Sequence, residues 1–171
     1  MPTTRVTDII RKDHVWFRNQ FAALEAARDD SEQLTTIWGV LSARLEVHAV
    51  AEETLFYPRL LKDDPDSVDD TKDAVKDHNE IRDGIREAEG HLVGDDGWWL
   101  GVNATEKAND EHMEEEEQGP LLEFDDAASE TEQAQLAMAF SAFETEHAGA
   151  RGITIEDKDP DEYVAEVTKK T

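Results

Sequence analysis

Not one of the 171 residues is a cysteine. That removes disulfides, thiolate-held metals and iron–sulfur clusters, and leaves any metal to nitrogen and oxygen ligands. Basic residues are scarce as well: 17 Lys and Arg stand against 42 Asp and Glu, for a net charge of −25. A field of that sign repels phosphate backbones and anionic lipid, so nucleic acid and membrane surfaces are excluded as partners, while cations are drawn in. Most of the acid lies in runs such as DDPDSVDD (63–70) and EEEE (114–117) and reads as solvated loop or outer helix face. Long apolar runs are missing too. No stretch approaches the ~18–20 apolar residues of a membrane span, and MPTTRVTDIIRKDH lacks a secretory pattern. The expected location is the cytoplasm. There is no strand-period segment of useful length, no G-x-S-x-G, no Gly-rich phosphate loop and no recognisable nucleophile triad.

What remains is helix. The stripe Ile10, His14, Phe17, Phe21, Leu24 repeats at four–three spacing over residues 8–28. Ser31 is a candidate N-cap for a second helix from about Glu32 to Tyr57, which Pro58 ends or kinks. A third helix, about 70–92, carries Ala74, His78, Ile81, Ile85 and Ala88. GDDG (94–97) is a turn with an aspartate to cap the fourth, about 98–117, on the line Trp98, Val102, Thr105, Asn109, His112, Glu116. Gly119–Pro120 stops it. Ser129 and Glu132 form a capping box for a fifth helix bearing Leu136, Phe140, Phe143 and His147. These elements predict an all-α protein: an antiparallel up-down four-helix bundle with an additional C-terminal helix and a polar tail. The domain spans residues 1–150, with its core at 5–125 and the fifth helix at 129–149. Residues 151–171 read as a loose tail with a helical turn near Tyr163.

The apolar stripes hold residues that do not belong in an oily core. In LEVHAVAEETLFYP (45–58), His48 and Glu52 sit on the inward line Leu41, Leu45, His48, Glu52, Leu55. The inward set is His14, His48, Glu52, His78, His112 and Glu116, with at least one histidine on each bundle helix. A single stripe histidine is ordinarily a hydrogen-bonded core residue, and a single HxxxE pair is common in acidic helices. Two HxxxE pairs on alternate helices, with two further histidines, are another matter. Positions i and i+4 share a face, and buried carboxylates cost several kcal/mol each unless compensated, ~2–7 even for neutral polar groups. A pair of divalent cations compensates them. Mixed imidazole and carboxylate ligands suit iron, with zinc or manganese as alternatives. HAVAEETLFYPRLL (48–61) and HMEEEEQGPLLE (112–123) echo one another, which places the device on helices two and four.

These residues resemble the hemerythrin-like, HHE cation-binding family, over roughly residues 5–125. EVHAVAEETLFYP is similar to that family's most recognisable segment. The resemblance implies a four-helix bundle holding a non-haem di-iron centre bridged by carboxylates and an oxo or hydroxo group. His14, His48, His78 and His112 would be terminal ligands, and Glu52 and Glu116 bridges, with Glu117 adjacent to the second. Oxygen-carrying members place two histidines a turn apart on the third helix; here Ala74 and Arg82 occupy the positions one turn from His78. The implied function is binding of oxygen or a related small molecule such as peroxide or nitric oxide. The alternatives are an enzyme acting on hydrogen peroxide or nitric oxide, and an iron storage or delivery protein. Further expectations attach to neighbours. Glu144 and His147 give an ExxH spacing, which makes His147 a candidate fifth ligand and otherwise packing or capping. His91 is exposed. Glu53 is a candidate to support a ligand from behind, and Trp16, Phe17, Phe21, Phe56 and Tyr57 are core or pocket lining.

Overall fold

A computed structural model describes residues 4–170; residues 1–3 and 171, which the sequence reading places in the bundle and the tail, lie outside the described residues. The long helices are α1 (Val6–Ala26), α2 (Ser31–Ala51), α4 (Val68–Glu89), α5 (Asp96–Gln118) and α7 (Glu130–Glu146). Shorter ones are α3 (Tyr57–Asp63), α6 (Pro120–Ala127) and α8 (Pro160–Lys170). No strand occurs among the described residues. Helices α1, α2, α4 and α5 form the four-helix bundle; α7 packs on α1 and α2, and α8 on α3 and α4. No helix among the described residues is long and apolar enough to cross a membrane.

Local chemistry explains most boundaries. The α2 cap is Asp30 rather than Ser31: its carboxylate accepts from the Glu32 and Gln33 N–H groups at 3.2 and 3.0 Å. Both aspartate and serine suit a cap, and the aspartate one residue upstream reaches two orphan donors at once. Asp95 stands at the α5 cap position without a side-chain cap bond. The Ser129–Glu132 capping box is formed. Pro58 does not end its helix. Residues Glu52–Phe56 widen into a π turn between α2 and α3, which accommodates a ring that would strike the carbonyl of residue 54 in a straight helix. The chain therefore continues to Asp63, and the wide turn begins on Glu52.

Helices α4 and α5 approach unusually closely. A Cβ on Gly101 would stand 2.2 Å from the Ala88 nitrogen, and one on Gly84 2.5 Å from Thr105 Oγ1. Only glycine fits at both positions. The apolar core divides into two clusters. One contains Phe17, Phe21, Leu34, Trp38, Leu41 and Trp98; the other contains Ile10, Phe56, Tyr57, Leu60, Phe124 and Phe140. Between them lies a buried polar layer. The segment read as a loose tail is ordered. Pro160 opens α8, Asp159 accepts from the Glu162 N–H at 2.9 Å, and Tyr163 and Val164 are buried.

Candidate metal centre

The polar layer contains all six inward residues read from the sequence, each at most 4% exposed. His48 reaches from α2, and Glu52 follows it at the start of the π turn. His48 Nε2 lies 2.8 Å from Glu52 Oε1. The other carboxylate oxygen, Oε2, lies 3.1 Å from His78 Nε2 and 3.5 Å from His112 Nε2. His78 and His112 bring their Nε2 atoms to 3.2 Å of one another. Two trios result, His14–His48–Glu52 and Glu52–His78–His112, in each of which one ligand-type atom per residue falls within 4.8 Å of the others. Glu52 belongs to both and turns one oxygen to each. Glu116 sits at the edge: its Oε2 is 3.3 Å from His14 Nε2, while its Oε1 accepts the Tyr57 hydroxyl at 2.7 Å. It is in neither trio.

The Nε2 atoms face inward and a carboxylate lies behind each Nδ1, hydrogen-bonded at His14 and His78 and in ion-pair range at His48 and His112. His14 Nδ1 lies 2.9 Å from Glu117, His48 Nδ1 3.3 Å from Asp13, His78 Nδ1 2.9 Å from Glu53, and His112 Nδ1 3.6 Å from Asp77. Each acid comes from a neighbouring element, so the arrangement runs round the bundle: α1 to α2, the π turn after α2 to α4, α4 to α5, α5 to α1. A constant offset of 64 residues relates the two halves: Asp13 to Asp77, His14 to His78, Arg18 to Arg82, His48 to His112, Glu52 to Glu116, Glu53 to Glu117. The arginines follow the same rule. Arg18 binds Glu117 at 3.1 Å, and Arg82 binds Glu53 at 3.0 Å.

Sequence reasoning recovered Glu53 as a support and missed Asp13, Asp77 and the supporting place of Glu117. The signal was present as KDH at 12–14 and again at 76–78. An acid beside a stripe histidine is turned about 100° round the helix, toward the next helix and its imidazole.

Two observations fit a cation. First, His14 Nε2, His48 Nε2, Glu52 Oε1 and Glu116 Oε2 are buried and lack hydrogen-bond partners. Buried polar atoms are ordinarily paired, and these four point at one another with geometry that suits lone pairs around a cation. Second, the layer gathers carboxylates and imidazoles away from water, where a cation would offset the acids' charge. Burial alone would push the Glu52 carboxyl up, but charge and hydrogen bonds from His48, His112 and His78 hold it well below the carboxylate range. The imidazoles answer in kind. Burial works against a charged His112, yet Asp77 and Glu52 outweigh it and raise its pKa to about 10; His48 is likewise driven well up, chiefly by Glu52 and Asp13. Protons and divalent cations compete for such imidazole and carboxylate atoms. Tyr57 is held far above its ordinary pKa by burial and by Glu116 and Glu52, so its hydroxyl keeps its proton.

A third grouping, Asp13–His48–Glu144, lies on the outer side of His48. Asp13 and Glu144 lie on its Nδ1 side, at 3.3 and 3.9 Å, away from the Nε2 atom that faces the layer. His147 joins no grouping; its Nδ1 donates to the Arg151 carbonyl at 2.8 Å. His91 is exposed against Glu87. Phe17 and Phe140 pack edge-on against His48, at 5.1 and 5.6 Å between ring centres, and shield it from water.

The hemerythrin HHE cation-binding domain profile matches residues 5–121. Comparison with curated proteins and with solved structures finds no match.

Proposed function

The chain belongs to the hemerythrin HHE cation-binding family, and from that premise we propose that it is a non-haem di-iron protein that binds oxygen or a related small molecule. The observation that carries the reading is Glu52, whose two oxygens face separate histidine pairs. One iron would be held by His14, His48 and Glu52, the other by Glu52, His78 and His112. Glu116 would complete the first through Oε2. Iron would supply an exchangeable coordination position and reversible electron chemistry that these side chains lack. Zinc or manganese would suit the same donors without that full chemistry.

The protein's own groups do the rest. Asp13, Glu117, Glu53 and Asp77 fix the imidazole orientation. Phe17 and Phe140 keep the layer dry. The Tyr57 hydroxyl holds a proton 2.7 Å from Glu116 Oε1, at the margin of the centre. Space favours a small ligand. The cleft touching His112 and Glu116 directly, lined also by Asp73, Asp77 and Glu115, has room of about 20 Å³, close to that of one water. A larger groove of about 510 Å³ between α2 and α7 reaches Glu144 and Arg44 but stops short of the six residues. A cleft of that size favours the smallest ligands, such as dioxygen, nitric oxide or peroxide, over an organic substrate.

The Tyr57 hydroxyl, a fixed hydrogen-bond donor 2.7 Å from Glu116 Oε1, favours a second reading, turnover of peroxide or nitric oxide, since a donor beside the centre would stabilise charge that builds on the small molecule. Elemental analysis of iron-grown protein, with absorption spectra before and after air and peroxide, tests both. About two irons per chain with a reversible oxygen-dependent band, as expected of a binding protein with one ion per trio, supports the first. Steady consumption of peroxide or nitric oxide favours the second. More than two irons per chain, released readily to a chelator, would point to storage. No stoichiometric metal, even after reconstitution, would overturn all three.

A further inference from the structure

The 64-residue correspondence fails at one buried carboxylate. Glu53 and Glu117 occupy equivalent places, each behind a histidine and each bound by an arginine. Glu117 keeps 31% of its side chain in solvent, whereas Glu53 is 1% exposed. Glu53 Oε1 takes His78 Nδ1 and Arg82, and its Oε2 accepts from the Lys158 ammonium. Lys158 lies beyond the family-matched residues 5–121 and has no counterpart in the other half.

The segment carrying Lys158 is fastened at several points. The Asn79 side chain binds the Lys158 backbone twice, donating to its carbonyl at 2.8 Å and accepting from its N–H at 3.0 Å. Arg86 holds Asp157 at 2.9 Å, and Lys72 holds Asp161 at 2.6 Å. The Tyr163 hydroxyl donates to the Glu53 backbone carbonyl at 2.6 Å. The segment therefore grips the same residue by its backbone and its side chain. Asn79 follows His78 directly, so the histidine and the lysine that support Glu53 from opposite sides are tied to one another.

We propose that Lys158, carried by this C-terminal strap, is a positioning residue for the His78 half of the metal centre and makes the two metal positions inequivalent. The inference rests on the di-iron reading. An acid with a solvent-exposed side can exchange partners with water. One sealed between His78, Arg82 and Lys158 cannot, so it keeps the His78 proton on Nδ1 and the Nε2 lone pair toward the metal. Without Lys158, a buried acceptor loses its partner and Glu53 is free to turn away from His78. Loss of such a support typically lowers metal affinity about 10–100-fold.

The test is a stepwise titration of the full-length apoprotein with cobalt(II), followed by its visible absorption, in the wild type and in Lys158→Met, Lys158→Arg, Glu53→Gln, the Glu53→Gln/Lys158→Met double variant and Lys72→Met. The expected result is two resolvable steps in the wild type. In Lys158→Met one step is weakened about tenfold or more and the other is unchanged, with recovery in Lys158→Arg. In the Glu53→Gln background Lys158→Met adds nothing, because the acid it supports is gone. Lys72→Met removes the α4 cation that pairs with Asp161 of the strap, away from Glu53, and leaves both steps unaltered. Equal weakening of both steps, or the same loss in Lys72→Met, would mean that the strap only stabilises the fold and would overturn the inference. Two unaltered steps in Lys158→Met would also overturn it. A wild type that binds no cobalt would instead overturn the di-iron reading. Apoprotein melting curves identify any variant that fails to fold, and Glu53→Gln then carries the test, with one weakened step expected.

Discussion

The two halves of the bundle use the same device and house it differently. Offset by 64 residues, each supplies an Asp-His pair, an arginine one turn on, and a His-x-x-x-Glu-Glu run. Around His14 and His48 the device is met by α7, whose Phe140 and Glu144 press on His48, and its Nε2 atoms have no hydrogen-bond partners. Around His78 and His112 it is met by the strap, and the two imidazoles satisfy one another at 3.2 Å. Tyr57 adds a further difference: it binds Glu116, and the residue 64 positions on is Leu121. So Glu52 divides its oxygens between the halves while its equivalent Glu116 gives one to a phenol. On the proposed di-iron reading the repeated residues would hold the metal, and the unrepeated ones, Tyr57, Glu144 and Lys158, would make the two positions differ.

The largest effect should come from erasing what the halves share. Glu52→Ala removes the one member common to both trios, and elemental analysis should find metal content reduced from about two ions per chain to about one or less, since the His78–His112 site is left with those imidazoles alone while the other keeps His14, His48 and Glu116. Metal removal comes next. Ligand present at 100 times its Kd adds about 2.7 kcal/mol of stability. A chain of this size shifts by about 2–4 °C per kcal/mol, so stripping should lower the Tm by about 5–10 °C in a calorimetric scan. Tyr57→Phe sharpens the comparison by restoring symmetry. It frees Glu116 Oε1 to bridge as Glu52 does, at a cost of about 1 kcal/mol to the apoprotein, and should alter the absorption of iron-loaded protein without lowering its iron content.

The acid response separates the halves more gently. Burial raises the Glu53 pKa, but His78, Arg82 and Lys158 outweigh it and hold it at about 2; Glu117 is also brought to about 2, chiefly by its hydrogen bond to His14 and despite some burial. Both are depressed from an ordinary 4.5. Their stabilising contribution is therefore complete above pH 4.5 and is lost as pH falls toward 2. Acid titration of apoprotein stability should show a smaller slope in Glu53→Gln, and a lesser reduction in Glu117→Gln, whose acid is partly screened by water. The smallest effect belongs to His147→Ala. It loses one exposed hydrogen bond at the α7 end, and stability should move by no more than about 1 kcal/mol with metal content unchanged.

How far the sequence could be read depended on which physical signal each residue carried. The stripe Ile10, His14, Phe17, Phe21, Leu24 has the helical period, and so the bundle and its inward histidines were legible. The pair His48 and Glu52 was legible because charge on an apolar line is anomalous. Asp13 and Asp77 were not: they lie one residue off the stripe, among 42 acids, and only a neighbouring helix gives them a partner. Tyr57 reads as a core aromatic, since its ring is buried and only its hydroxyl distinguishes it. The strap was hidden by polarity. Its helix buries just Tyr163 and Val164, too few to register as a period. The α6 helix lay behind Gly119–Pro120, which stops α5 but also places proline in the first turn of the next helix, where it is well tolerated.

The central claim is that Glu52 joins two metal positions. Mössbauer and electron paramagnetic resonance spectra of the oxidised protein, loaded with iron-57, test it most directly. The account predicts two iron subspectra of equal area from a spin-coupled pair, silent in paramagnetic resonance, as expected for ions about 3.5–4 Å apart, and their replacement by uncoupled iron or none in Glu52→Ala. A signal from isolated ferric iron accounting for all the metal, one ion per chain and unaffected by Glu52→Ala, would contradict it.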